Sequence, residues 1–283
     1  MEKTDYNQEL DKLLLSLNSK MKEKKMYLDK YHTQKAIFQI KMDLGEDHPL
    51  YSHLPFYWYF YGPFSEPIAD SLNFLKESPA KEDKRDKREI FSLYPELETI
   101  IDNLISNKKF FFNELPKRIY KKYAPYDCVY DFKFTLYDTA DKKRSLENIN
   151  TDEYVNTFFF CEGNLPWDKY FLDFSDIFSS FTTKIAILNN ENKLSTNWPI
   201  LREIIKKLWY SFAKGLRVKV MDDYYKDKTR RWDIEFKESI KTLEYYDNLI
   251  DISKLKLSPD LIEHDEEGKR LLNATLGSYL RSQ

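Results

Sequence analysis

The stretch from Phe171 to Leu188 decides the fold class, and it reads F-L-D-F-S-D-I-F-S-S-F-T-T-K-I-A-I-L. Its apolar residues recur in steps of three and four, at Phe171, Phe174, Phe178, Phe181, Ile185 and Leu188. That spacing places them on one side of a helix, which is typical of a helix packed in a bundle. The sequence therefore predicts a buried helix here.

Two further apolar seams follow with the same helical spacing. One consists of Leu201, Ile204, Ile205, Leu208 and Phe212, and the other of Trp232, Phe236, Ile240 and Leu243. An earlier group, Leu10, Leu13, Leu14 and Leu17, predicts a helix near the N-terminus. Pro95 and Asn113 are start signals for two short helices, and Ser258-Pro259 for a last one. We expect a mainly α fold.

One segment favours a strand. Tyr130, Phe132, Phe134 and Leu136 alternate with polar residues between Asp127 and Asp138. Alternation of this kind predicts a half-buried strand, so a small β-hairpin is expected over residues 127–138, and a buried helix stays open as the alternative.

Composition limits the function classes. The 283 residues carry a net charge of −2, so no global positive field exists to hold nucleic acid, and any such site must be a local patch. Only 6 glycines occur, which disfavours glycine-rich phosphate loops. The 20 Phe, 21 Tyr and 5 Trp instead predict large buried aromatic areas.

The sequence also indicates a compartment. Cys128 and Cys161 are far apart and too few for a disulfide framework, so we interpret them as reduced core thiols. The short apolar group Leu13 to Leu17 is followed by lysines, so we expect no secretory leader, and no apolar run reaches membrane-spanning length. We expect a cytoplasmic protein without a membrane-spanning helix.

The sequence contains no specific catalytic motif. Phosphate-binding loops, H-E-x-x-H, paired C-x-x-C and G-x-S-x-G are all missing. His48 and His53 are interpreted as loop histidines and not as metal ligands. Asp222, Asp223 and Asp227 lie beside basic residues, so ion pairing is favoured over magnesium binding. We therefore expect no catalytic residue, no metal and no cofactor.

The most distinctive local pattern lies between Thr33 and Glu77. A helix is predicted over Thr33 to Leu44, with Gly45 as its stop. The aromatic run Leu54 to Tyr61 follows, as a short buried strand or a helix end. Tyr61-Gly62-Pro63-Phe64-Ser65 then leads into another helix, with Ser65 as its N-cap.

Thr33-Gln34-Lys35-Ala36-Ile37-Phe38 together with Trp58-Tyr59-Phe60-Tyr61-Gly62-Pro63-Phe64-Ser65 resembles the Panacea-type antitoxin domain. It is also similar to prokaryotic winged-helix-like proteins with a Y-G-P-[FYV]-S motif. The resemblance covers about a sixth of the chain; Thr33 replaces the family's Leu, and Phe64 the Val common in Panacea domains. It implies a small helical module that binds protein or DNA and has no catalytic residues.

On this basis four segments are expected: an N-terminal helix or arm over 1–27, a winged-helix-like module over 28–80, a charged linker over 81–89 and a helical domain over 90–283. The first hypothesis is a DNA-binding regulator of transcription. Its phosphate contacts would be Lys20, Lys22, Lys24, Lys25, Lys84, Arg85, Lys87 and Arg88.

The second hypothesis is a protein-binding antitoxin or defence component that grips its partner through Trp58, Tyr61, Phe64 and Ser65. An enzyme with an unrecognised site is the third. The partner is thus DNA or a protein, with no membrane involved, and a homodimer is compatible with the sequence.

Overall fold

The computed structural model describes residues 3–27, 29–77 and 86–248, with the backbone alone for 3–7, 74–77 and 86–88. These residues are mainly helical, as the apolar seams predict. They fall into two compact units. Unit 1 takes its residues from Met1–Ala124 and Leu216–Trp232, and unit 2 from Pro125–Gly215 and Asp233–Gln283.

Unit 1 contains six helices of the described chain and one two-stranded antiparallel sheet, besides the helical ends of the segment Leu216–Trp232. Its elements are α1 (Lys3–Glu23), α2 (Lys30–Leu44), a 3₁₀ turn (Pro49–His53), β1 (Tyr57–Tyr59), β2 (Gly62–Phe64), α3 (Glu66–Glu77), α4 (Asp86–Leu93), α5 (Glu96–Leu104), a π-helical turn (Phe110–Glu114) and α6 (Leu115–Tyr123). The predicted N-terminal helix is confirmed, because Leu10, Leu13, Leu14 and Leu17 are all buried in α1.

The ends of α2 and the start of α3 follow local chemistry. Asp29 caps α2 by accepting a hydrogen bond from the His32 amide, and Gly45 ends it with a φ of 79° that favours glycine. Ser65 Oγ accepts a hydrogen bond from the Ile68 amide at 3.5 Å, so the predicted cap of α3 is confirmed.

A distant segment completes the sheet region of unit 1. The Trp58 amide donates to Val220 O, and the Asp222 amide donates to Phe56 O, both at 2.8 Å. Tyr57 thereby bridges to Met221 in antiparallel fashion. The hairpin thus forms hydrogen bonds with a backbone segment that lies more than 160 residues further along the chain.

Unit 2 is built around three long helices. Its elements are α7 (Cys128–Asp131), a π-helical turn (Phe132–Tyr137), α8 (Asp138–Lys142), α9 (Thr151–Gly163), α10 (Leu172–Asn190), α11 (Leu194–Lys219, in this unit as far as Gly215) and α12 (Thr229–Asp247, in this unit from Asp233). A 3₁₀ turn (Asp223–Lys228) of unit 1 precedes α12.

The core of unit 2 is aromatic. Every residue of the α10 seam from Phe171 to Leu188 is at most 1% exposed, which confirms the buried helix. Phe212 of α11 stacks on Phe174 with ring centroids 5.2 Å apart, and on Phe132 at 5.6 Å. Both other seams are buried as well, so the mainly α prediction holds for the described residues.

The strand and hairpin expected over residues 127–138 are wrong. This segment is helical, running through α7, the π-helical turn and α8. Phe132 and Leu136 are buried on one side, while Tyr130 and Phe134 are half-buried with ring centroids 5.0 Å apart. Two pairs with a spacing of four residues therefore produced the alternation that resembles a strand.

Two other predicted segments lie partly or wholly outside the described residues. Residues 86–89, assigned to the charged linker, begin α4, whereas 78–85 lie outside the described residues. The predicted helix at Ser258-Pro259 also lies outside them. The predicted domain boundaries stay predictions.

Candidate nucleic-acid interface

Two buried polar side chains of α2 form hydrogen bonds with β2 and with the residue that follows it. Gln34 Nε2 donates to Ser65 O, and the Ser65 amide donates to Gln34 Oε1, both at 2.8 Å. Lys35 Nζ donates to Pro63 O at 2.9 Å and lies 5.1 Å from the centroid of the Tyr31 ring. The two halves of the sequence pattern at 33–38 and 58–65 are therefore in direct contact.

The hairpin rests on α6 through a glycine. Gly62 has a φ of 82°, and a Cβ added there would lie 2.8 Å from Tyr120 Cε2. Trp58 packs edge-on against the same Tyr120 ring, with centroids 5.3 Å apart. Only glycine combines this backbone conformation with so close an approach, so Gly62 brings the hairpin turn against α6.

Helix α6 and the turn before it lie alongside α2. At one end, His32 Nε2 is 3.0 Å from Phe112 O. At the other end, the Phe38 and Tyr123 rings pack edge to face with centroids 5.7 Å apart. This packing buries Leu115, Pro116, Ile119 and Tyr120, and it leaves the opposite side of α6 to solvent.

The solvent side of α6 is basic. Lys117, Arg118, Lys121 and Lys122 are all exposed, and they fall within about 140° of the helix circumference at roughly 100° per residue. Lys108 and Lys109, just before the π-helical turn, are exposed too. Residues 108–122 hold these six basic residues and one acid, Glu114, in a chain whose net charge is −2. We call the group Lys117, Arg118, Lys121 and Lys122 the basic face.

This arrangement is electrostatically unfavourable for the isolated helix. Lys117 and Lys121, like Arg118 and Lys122, are like charges four residues apart, which destabilises a helix by about 0.2–0.5 kcal/mol a pair. The helix dipole offsets part of that cost for the last turn. Within the described residues, no acidic side chain pairs with Lys117, Arg118 or Lys122, whereas Lys12 pairs with Glu89 and Lys228 with Glu66.

The basic residues predicted from the sequence lie elsewhere. Lys20 is committed to ion pairs with Glu98 and Asp102 at 2.7 and 2.8 Å. Lys22, Lys24 and Lys25 are exposed at the end of α1 and the turn that follows. Lys84 and Arg85 lie outside the described residues, and so do the side chains of Lys87 and Arg88, whose backbone belongs to α4.

The four residues predicted to bind a partner differ in how far they are exposed. Trp58 is 3% exposed and Ser65 is fully buried, so both side chains pack inside unit 1. Phe64 is half-buried beneath Lys30, whose Nζ is 5.9 Å from the ring centroid. Tyr61, at the tip of the hairpin, is 56% exposed.

Two residues of the acidic cluster near residue 222 form ion pairs with lysines. Asp222 Oδ2 accepts hydrogen bonds from the buried Lys41 ammonium at 2.5 Å and from the Phe56 amide at 2.6 Å, so it ties α2 to the hairpin. Asp223 pairs with Lys226 at 2.8 Å. In the described ranges, no group of three or more His, Cys, Asp or Glu residues has the geometry to hold a metal ion.

Several other titratable side chains of unit 1 contact neighbouring side chains of the same unit. His48 Nε2 is 2.6 Å from Glu96 Oε1, and His53 pairs with Glu9. Tyr57, Tyr225 and Trp232 form a buried cluster beneath the hairpin, and burial raises the pKa of both tyrosines. The guanidinium of Arg217 lies 4.7 Å from the Tyr59 ring centroid and 4.8 Å from that of Trp232.

No protein-family model, curated protein or solved structure matches this chain. Among the helices of the described residues, none is both long and apolar enough to cross a membrane. The geometry and charge of the site are therefore the observations that bear on its function.

Proposed function

We propose that this protein binds DNA as a regulator, and that the basic face of α6 holds the phosphates. The observation that carries the proposal is the exposed group Lys117, Arg118, Lys121 and Lys122 on one side of a helix. Lysine and arginine that neutralise phosphates release condensed counterions, and this supplies most of the non-specific affinity for DNA. Such contacts do not require a positive charge on the whole chain.

The surroundings of α6 support the same function. The helix is fixed on its inner side by Ile119 and Tyr120, and the hairpin turn at Gly62 lies against it. The winged-helix-like module expected over residues 28–80 ends before α6, so in this proposal the phosphate contacts lie on a helix that follows the module in the chain.

A protein-binding antitoxin or defence component is the second candidate. It is favoured by one observation, the exposed Tyr61 ring at the tip of the hairpin, because tyrosine is enriched among residues that dominate protein interfaces. That function predicts that replacing Tyr61 abolishes capture of the partner, whereas reversing charge on α6 has little effect.

The experiment that tests DNA binding is a fluorescence-anisotropy titration of the full chain with a labelled duplex at several salt concentrations. We expect binding in the micromolar range at about 50 mM salt, with an affinity that falls steeply as salt rises. A duplex that stays unbound at micromolar protein and about 50 mM salt contradicts the proposal, because even non-specific binders reach that affinity.

A further inference from the structure

His32, in the first turn of α2, lies between two hydrogen-bond acceptors. Its Nδ1 is 2.6 Å from Asp29 Oδ2, and its Nε2 is 3.0 Å from Phe112 O. A neutral imidazole donates from one ring nitrogen and accepts at the other, whereas an imidazolium donates from both. A carboxylate and a carbonyl only accept, so the protonated ring is the form that satisfies both contacts.

The contact with Phe112 joins α2 to the π-helical turn that leads into α6. Pro116 lies four residues after Phe112 and has no N–H, so it cannot give the Phe112 carbonyl the hydrogen bond of an α-helix. His32, 80 residues earlier in the chain, supplies a donor to this carbonyl. The imidazole therefore attaches the turn before α6 to α2.

The groups that face the imidazole come from two elements. From the π-helical turn it meets Phe111 and Phe112, which carry no charge, with ring centroids at 6.2 and 4.9 Å. From the start of α2 it meets Tyr31, with the ring centroid at 5.0 Å, and the Asp29 carboxylate. Asp29 Oδ1 also accepts a hydrogen bond from the His32 amide, so the carboxylate is held in place as the cap of α2.

We infer that the attachment of α6 to α2 depends on the proton carried by His32 and weakens as pH rises. The folded chain offers the ring two acceptors and so favours its protonated form. The stability that His32 contributes is therefore present at low pH and is lost as pH rises. Histidine ordinarily changes its charge between about pH 5 and 8, so the attachment should change in that range. This inference does not depend on DNA binding.

The test is the melting temperature of the full chain and of His32→Gln at about pH 5 and about pH 8. Glutamine has an amide that can donate to Phe112 O, but it does not titrate. The unmodified chain should exceed His32→Gln by about 3 °C more at the lower pH, because hydrogen bonds from a charged donor are the stronger ones. Titration of other groups cancels in this difference.

Asp29→Asn is the second variant. Asparagine caps a helix about as well as aspartate, and its amide can donate to Nδ1 of a neutral ring whose Nε2–H still donates to Phe112 O. In the Asp29→Asn background, His32→Gln should therefore change the melting temperature by the same amount at both pH values.

His48 is the matched control. Its Nδ1 accepts from the Leu50 amide and its Nε2 is 2.6 Å from Glu96 Oε1, an arrangement that the neutral ring satisfies. His48→Gln should change the melting temperature without a larger loss at the lower pH.

Two results would overturn the inference. In one, the difference between the unmodified chain and His32→Gln is the same at both pH values. In the other, its pH dependence persists unchanged in the Asp29→Asn background. If His32→Gln does not fold, Asp29→Asn alone decides, because the unmodified chain must then lose more stability than this variant between the lower and the higher pH.

Discussion

The side-chain amide of Gln34 forms two hydrogen bonds with the backbone of Ser65, which lies 31 residues further along the chain. Both bonds are 2.8 Å long, and both residues are buried. The pairing joins α2 to the residue between β2 and α3. It therefore ties the end of the hairpin to α2.

Removal of this amide should destabilise unit 1. In Gln34→Ala the Ser65 carbonyl keeps a hydrogen bond from the Ala69 amide, but the Ser65 N–H loses its partner. A buried unsatisfied donor costs about 1–3 kcal/mol, so the free energy of unfolding from urea denaturation should fall by that amount. Gln39→Ala is the control. It should lower the free energy of unfolding by less, because the side-chain oxygen of Gln39 already lacks a hydrogen-bond partner. Equal losses would contradict the role assigned to Gln34.

Replacement of a residue of the α10 seam in unit 2 should lower the free energy of unfolding by more than Gln34→Ala does. Phe178 is fully buried, with the rings of Phe132 and Phe158 at 5.2 and 5.9 Å. Phe178→Ala should lower the free energy of unfolding by roughly 3–5 kcal/mol, because it removes the ring and leaves a cavity. Phe160, 46% exposed, supplies the control, and Phe160→Ala should stay within about 0.5 kcal/mol. If the denaturant midpoint of Phe178→Ala is unchanged, Phe178 does not pack in a buried seam.

Glu162 predicts a pH dependence. Burial raises the pKa of its carboxyl, although the hydrogen bond from Ser179 lowers it in part. The protonated form is therefore favoured in the folded state, and the stability it contributes is lost as pH rises through the raised pKa. Glu162→Gln should then increase the melting temperature at neutral pH, and the increase should shrink below the ordinary pKa of a glutamate.

The matched control for this measurement is Glu238→Gln, at an exposed position of α12. It should leave the melting temperature nearly unchanged across the same pH range. If Glu162→Gln lowers the melting temperature at neutral pH, the charged carboxylate stabilises the fold and the interpretation is wrong.

Much of the fold could be predicted, because it depends on the spacing of residues that are close together in the sequence. The seam of α10, the end of α2 at Gly45 and the cap at Ser65 depend on residues a few positions apart. The strand prediction for residues 127–138 is wrong, since the pair Tyr130 and Phe134 interleaves with Phe132 and Leu136 and imitates the alternation of a strand. The return of Val220 to the hairpin is a long-range contact with no local signal.

In the candidate site, too, local spacing could be recognised in the sequence and long-range contacts could not. The spacing of Lys117, Arg118, Lys121 and Lys122 is visible in the sequence and would have placed four cations on one helix face. The ion pairs of Lys20 were not visible, because Glu98 and Asp102 lie 78 and 82 residues away. Burial of Trp58 depends on its packing with Tyr120, which is equally remote.

Binding of DNA phosphates by the basic face of α6 can be measured through the salt dependence of duplex affinity. The variant is Arg118→Glu with Lys122→Glu, and the control is Lys143→Glu with Arg144→Glu, an exposed pair of unit 2 with the same change of charge. The melting temperature of each protein is recorded beside its affinity.

Each lost phosphate contact should reduce the slope of log affinity against log salt by about 0.9. For the α6 pair we expect a slope shallower by roughly 2 and weaker binding, and for the unit 2 pair a slope close to that of the unmodified chain. Equal slopes for the two pairs, with both proteins folded, would contradict phosphate binding by the basic face.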